Sequence, residues 1–253
     1  MIYPHEDNLD KKIADAPEGS EKRNDLLELK QRYSEYRRAM QAINYATKDI
    51  ADYNVAATEM NSYLIEVDAV CERQGIKSQG KLRSTVLEEL SVYMFERYPA
   101  VLEGNMEIFN KKIYAGIVVD SSLNYKILTK DVDFCIGKTA SLSINGNTTS
   151  NVRFPFVCVE CKTYLEATMN HDVLFSGTQI KTASPEAKTY VLMEYQDEIS
   201  PNHPIPASYK YAIDKRFNLR DCKRPSGRGG YRSVTPIVGQ HILDYYIEIE
   251  SAL

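Results

Sequence analysis

The sequence predicts an α/β fold, a mixed β-sheet flanked by helices, preceded by an N-terminal helical region. Three observations carry this. From Ser20 to Gly75 apolar residues recur at spacings of three and four, the period of an amphipathic helix. From Lys112 to Lys162 runs of β-branched and aromatic residues take over, as strands require. Between the apolar runs ending at Lys162 and beginning at Lys188 lies a stretch with helical patterning. Two strands joined through a helix imply a crossover connection.

Taken in order, residues 1–19 carry Pro4, Pro17 and Gly19 and read as a loose polar arm. Ser20 is an N-cap for a helix striped by Leu26, Leu29, Tyr33, Tyr36, Met40 and Ile43. A second helix, with Met60, Tyr63, Leu64, Val67, Val70 and Cys71 on one side, ends near Gly75. Residues 1–75 thus form a helical region and 76–253 the core. The stripe of the first helices is a candidate dimerisation or DNA-contacting surface, although packing on the chain's own core is favoured about two to one. Residues 76–83 form a basic approach, with Lys77, Lys81 and Arg83 as weaker DNA candidates. Ser84 caps a third helix, Thr85 to Phe95, that stops before Pro99. Val86, Leu87, Leu90, Tyr93 and Met94 give it an apolar stripe. Its Glu88 and Glu89 lie in the first turns, where carboxylates suit the helix dipole, and taken alone that structural reading is the better one.

Strands are expected over 112–120, 125–128 and 132–136. Residues 137–152, with Gly137 and Asn145-Gly146-Asn147, read as a turn or loop. A strand over 153–162, a helix over 164–183 weakened by Gly177, and a strand over 188–194 follow. Pro201, Pro204 and Pro206 make 196–208 a loop. The last helix, 238–251, turns Ile242, Tyr245, Tyr246 and Ile249 inward.

With 253 residues, 43% hydrophobic and 26% charged, the chain can bury one sizeable core. A net charge of −4 rules out a global basic field, so any nucleic-acid surface must be local. Residues 207–232 provide one: eight basic side chains against Asp214 and Asp221, a local net of +6. By itself such a segment is most often a solvated loop. Five cysteines at irregular spacing argue against a disulfide framework and for a reducing compartment. Cys158 and Cys161 form a CxxC, but residues three apart in a strand face opposite ways, which opposes a zinc site. The first residues show no signal peptide and no apolar run reaches membrane-spanning length, so a cytoplasmic location is expected.

The chemistry concentrates in Asp133 and in Glu160-x-Lys162, which end two apolar runs. Alternation along a strand puts Glu160 and Lys162 on one side, and pairing of the two strands brings Asp133 beside them. Two carboxylates and a lysine there can hold a divalent cation and activate a water. Partial burial and a neighbouring metal are expected to lower the pKa of Lys162. Asp131 shares the face of Asp133 and remains an alternative ligand. A lone ExK is usually a surface ion pair; its place after the apolar run Phe156–Val159 is what favours catalysis.

Asp133 followed 27 residues later by Glu160-x-Lys162 resembles the PD-(D/E)XK nuclease motif. The upstream helix carrying Leu87-Glu88 is similar to the glutamate helix that precedes this motif in many members, with Glu88 the better match and Glu89 the fallback. The resemblance spans about residues 84–194, and Val132 stands where many members have proline. It implies a restriction-endonuclease-like core and a Mg²⁺-dependent type II restriction endonuclease cutting double-stranded DNA at a specific sequence, with Mn²⁺ able to substitute. Asp133 and Glu160 would be the metal ligands, Lys162 and Glu88 their catalytic partners. Beside such a core Lys223, Arg224, Arg228 and Arg232 become DNA-binding candidates. The resemblance also implies a homodimer or a heteromeric arrangement in a bacterial or archaeal cytoplasm. The alternatives are a nuclease without site specificity, acting in repair, transposition or phage defence, and a catalytically inert DNA- or partner-binding module.

Overall fold

Ser20 accepts a hydrogen bond from the Arg23 backbone N–H through its Oγ at 3.2 Å, and the helix α2 (Glu21–Ala42) starts where that cap places it. The computed structural model describes residues 2–76, 82–122, 124–196, 211–224 and 235–253. Helix α3 (Ile50–Arg73) packs against α2, and Gly75, at φ +62°, ends it in the left-handed region that glycine favours. Leu26, Leu29, Tyr33, Tyr36 and Met40 are buried on α2, and Met60, Tyr63, Leu64, Val67 and Val70 on α3. The stripe proposed as a dimer surface is therefore spent inside the chain.

The first nineteen residues are not a loose arm. Helix α1 (Pro4–Asp15) begins with proline in its first turn, where the missing N–H costs nothing. It buries His5 and Leu9. Helix α4 (Ser84–Phe95) is buried on all sides, not along one stripe, because α1, α2 and the sheet surround it. Ser84 is the first helical residue and Arg83 the cap position, one residue earlier than the sequence suggests.

A short helix α5 (Pro99–Leu102) leads into the sheet. Its strands are β1 (Glu107–Phe109), β2 (Ile113–Val119), β3 (Tyr125–Lys130), β4 (Phe134–Ile144), β5 (Asn147–Lys162), β6 (Lys188–Met193) and β7 (Lys215–Asn218). The pairing is mixed. β4 runs antiparallel to β1 and β5, whereas β5, β6 and β7 are parallel neighbours. The β2–β3 hairpin attaches to the first half of β5 at Arg153. Helix α6 (Ala167–Ala183) makes the expected crossover from β5 to β6. The loop expected over 137–152 is instead a long hairpin. Only Asn145 and Gly146 turn, at φ +50° and +78°. Exposure of this ribbon explains its Ser- and Thr-rich composition.

The two faces of the sheet are covered differently. Phe134, Ile136, Val157, Val159, Cys161, Tyr190, Leu192 and Phe217 join one large core with α1–α4 and the last helix, α7 (Gly239–Ser251). Cys135, Cys158, Val191 and Met193 face the other way, onto residues of α6 and its flanks. Cys158 and Cys161 thus lie on opposite faces, as strand alternation requires; Cys158 faces Cys135 with sulfurs 3.8 Å apart, both thiols free.

Gly177 does not merely weaken α6. A Cβ there would stand 2.2 Å from the Ala212 carbonyl oxygen, so its absence lets helix and chain meet. Gly177→Ala is expected to cost about 1–3 kcal/mol through overpacking. A denaturant melt checks this, and an unchanged midpoint would refute it.

Candidate active site

Asp133 precedes β4 by one residue, and the β4–β5 register pairs Phe134 with Val159. That register sets Asp133 opposite Glu160. The Cys161 N–H donates to Asp133 Oδ2 at 2.8 Å. Glu160 and Lys162 share the face turned to α6. The Lys162 ammonium donates to Glu160 Oε2 at 3.0 Å and to Asp133 Oδ2 at 3.4 Å. The Ser176 hydroxyl, on α6, donates to Glu160 Oε1 at 2.9 Å. Burial works against the Lys162 charge, but the Asp133 and Glu160 carboxylates outweigh it and hold the ammonium above its ordinary range. Beside these two carboxylates Lys162 is a hydrogen-bond donor, whereas the lowering expected from the sequence invokes a neighbouring metal as well as burial.

These side chains open into a pocket of about 380 Å³ that Glu88 also lines. Glu88 and Glu89, adjacent in sequence, are separated by the turn of α4. Glu89 is fully buried. One oxygen accepts from the His5 and Glu6 N–H groups at 2.7 and 2.9 Å, the other from the Tyr33 and Tyr93 hydroxyls at 3.0 and 2.5 Å. Burial raises its pKa although all four donors pull the other way. Glu89 is a structural anchor and Glu88 the pocket residue. His5 sits in the same buried cluster, its ring against Tyr63 Oη at 2.6 Å and Thr85 Oγ1 at 2.9 Å. Desolvation pushes its pKa down to about 3, leaving it neutral. Tyr33, Tyr63 and Tyr93 thereby show what part of the tyrosine excess is for: buried rings whose hydroxyls need partners.

Asp131 also reaches the pocket, but it is exposed and its Oδ1 accepts from the Lys112 N–H at 3.0 Å. Asp133, held by β5 and in contact with Lys162, is the better placed of the two. Asp172 of α6 completes five carboxylates around the pocket, against Lys111, Lys130 and Lys162. Sequence reasoning missed Ser176, Asp172, Lys111 and Lys130. Only the helical phase of α6, which sets Asp172 and Ser176 four apart on one face, carried a signal.

A cleft of about 490 Å³ lies elsewhere, between α1, α2 and the end of α4, lined by Arg37, Arg38 and Arg97. Its one carboxylate, Glu6, is already bonded to Lys30 and Arg37, so it offers no acid to a metal or a water.

The basic segment divides. Arg220 is buried on Glu194 with a 2.8 Å contact, Arg216 donates to Asn170 at 2.6 Å and Lys215 to Glu248 at 2.7 Å. Arg83, a weaker DNA candidate, is buried on the same Glu194 with its Nε at 2.6 Å. These cations serve the fold. Lys223 is exposed, and Arg224 lies over the Tyr164 ring at 4.1 Å, two residues past Lys162. Lys77, Lys81, Lys210, Arg228 and Arg232 lie outside the described residues.

Among the described residues no group of three or more His, Cys, Asp or Glu side chains stands ready to hold an ion, and no helix is long and apolar enough to cross a membrane.

A mixed sheet with a carboxylate pair and a lysine at the junction of β4 and β5, and a glutamate reaching in from an upstream helix, is the layout that the resemblance to PD-(D/E)XK nucleases implies. The sequence agrees: residues 79–251 match the family described as Bpu10I restriction endonuclease. The chain belongs to the Bpu10I restriction endonuclease family. No curated protein matches the chain. A solved structure, the native BbvCI A2B2 tetramer, matches 100% of this chain and 96% of its own chain at a TM-score of 0.72. With 17% identity the likeness is one of fold.

Proposed function

We propose that this protein is a Mg²⁺-dependent, site-specific type II endonuclease that hydrolyses phosphodiester bonds of double-stranded DNA. The observation that carries the reading is the convergence of Asp133, Glu160 and Lys162 in one pocket with Glu88. The donor set suits the ion: carboxylate oxygens, with no sulfur or imidazole among the lining groups. Five carboxylates against three ammonium groups leave the pocket negative, and a phosphodiester approaches such a pocket only with a cation present. Mg²⁺ is commonly held by one or two carboxylates plus water, which Asp133 and Glu160 supply. When bound it would lower the pKa of a water and offset charge on the phosphate.

The chain's own groups do the rest. Lys162 donates to a phosphate oxygen or to the attacking water. Glu88 reaches the same space from α4 as a further carboxylate. Lys111 and Lys130, beside the carboxylates, and Lys223 and Arg224 beyond the end of β5, meet the DNA backbone, with Arg228 and Arg232 extending that basic run in sequence. Two-fold symmetric sites call for paired subunits. The tetrameric assembly of the BbvCI structure favours an oligomer here, as a homodimer or with a second, related subunit.

Incubation of the protein with plasmids of known sequence tests this. Discrete fragments with Mg²⁺ or Mn²⁺, and none with excess chelator, are expected. A smear would favour a nuclease without site specificity. Failure to cut any of a varied panel with either metal, alone or with a related subunit, would overturn the catalytic reading.

A further inference from the structure

Glu160 has both oxygens occupied, and the two partners differ in kind. Oε2 meets the ammonium of Lys162, a flexible side chain open to the pocket. Oε1 accepts from the Ser176 hydroxyl at 2.9 Å, and Ser176 is only 3% exposed. A serine inside a helix usually turns its hydroxyl to a carbonyl of the preceding turn. Thr178, two residues on, does so, donating to the Leu174 carbonyl at 2.9 Å. Ser176 instead reaches across to β5.

The backbone behind Ser176 is fixed closely. Val173, Leu174 and Ile180 bury the inner face of α6. The next residue, Gly177, sits so near the Ala212 carbonyl that no Cβ fits. This close seating of α6 places Ser176 within hydrogen-bond reach of Glu160.

We propose that Ser176 is a positioning residue for the cation site: it pins Glu160 Oε1 and so presents Oε2, beside Asp133, to the pocket. This rests on the proposed metal role of Asp133 and Glu160. A carboxylate held at one oxygen loses little rotational freedom when the other takes a cation, and partners of this kind are worth about 10–100-fold in metal affinity.

The test uses the full chain and Mn²⁺ as the probe, with free Mn²⁺ followed by electron paramagnetic resonance, alongside the Mg²⁺ concentration giving half-maximal cleavage. Two variants are needed. Ser176→Ala removes the donor; Ser176→Cys keeps a similar volume with a weak donor. Both are expected to weaken Mn²⁺ binding by about 10–100-fold and to raise half-saturating Mg²⁺ in step. The maximal cleavage rate at saturating metal should change by less than about 3-fold, since a loosened ligand is recovered once the ion is bound. A purely structural role would instead lower the melting temperature and leave the Mn²⁺ affinity of the folded protein alone. Wild-type affinity in Ser176→Ala, or in Ser176→Cys, overturns the proposal while wild-type binding and cleavage leave the nuclease reading standing. A wild-type protein that neither binds Mn²⁺ nor cuts DNA overturns both.

Discussion

Replacing Lys162 by alanine is expected to lower single-turnover DNA cleavage by about 10²–10⁴-fold while leaving cation binding intact or tighter. The two halves of that expectation come from one geometry. Lys162 places its ammonium 3.0 Å from Glu160 and 3.4 Å from Asp133, in the space that the two carboxylates share. It offsets their charge when no divalent ion does, so its removal frees both for Mn²⁺. A phosphate, however, would lose a cationic donor that contacts both carboxylates. Asp133→Asn should behave differently, losing Mn²⁺ affinity and cleavage together, because it strips charge from the ligand itself. Lys162→Ala that still cuts within about 10-fold of wild type would remove Lys162 from the chemistry. Equal loss of Mn²⁺ binding in both variants would mean that the lysine and the carboxylates act as one structural unit. All three side chains are largely buried, so thermal melting of each variant accompanies the comparison to keep it on folded protein.

What was legible in the sequence follows from the range of the interactions. Glu160 and Lys162 are two residues apart in a strand, and a period of two is local information. Asp133 needed one further step, the antiparallel pairing of the flanking apolar runs, and the observed register supplies it. The choice between Glu88 and Glu89 was open because the deciding contacts are distant: Glu89 is claimed by residues 5, 6 and 33 as well as by Tyr93 on its own helix. The segment that carries the first two reads in the sequence as a loose arm. Its prolines and charges gave no long apolar stripe, and two buried residues, His5 and Leu9, hold the helix down. The 137–152 ribbon differs from its expected loop for the converse reason. An exposed hairpin has no buried face to impose a strong alternation, so Ser, Thr and Asn suggest a loop, although Asn145-Gly146 marks its turn correctly. Ser176 was invisible because a serine in a helix acquires meaning only from the strand beside it.

The basic segment shows a related limit: cations counted along a sequence do not declare which face water and which face acids. Arg220 lies inside that segment, yet it is 3% exposed and shares the fully buried Glu194 with Arg83. Asp68 of α3 completes the network on Arg83, and Arg220 also donates to the Thr235 carbonyl at 2.7 Å. One carboxylate thus ties the end of β6 to the start of α4, the chain after β7 and the approach to α7. Burial alone would raise the Glu194 pKa; the two guanidiniums reverse that and hold it below the usual carboxylate range. Glu194→Ala would take from both buried guanidiniums the carboxylate they share, leaving Arg83 with Asp68 and Arg220 with the Thr235 carbonyl, and breaking a buried network this way costs about 3–5 kcal/mol. At roughly 2–4 °C per kcal/mol for a chain of this size, the melting temperature should fall by about 6–20 °C. Glu194→Gln keeps the shape and some hydrogen bonds and should fall between the two. Thermal and urea unfolding, with cleavage assayed below the variant's melting range, separate stability from chemistry. A loss under about 1 kcal/mol would show that water or rearranged acids compensate the arginines. The expected loss with cleavage retained at low temperature would place Glu194 in the frame that sets α4, and with it Glu88, against the sheet.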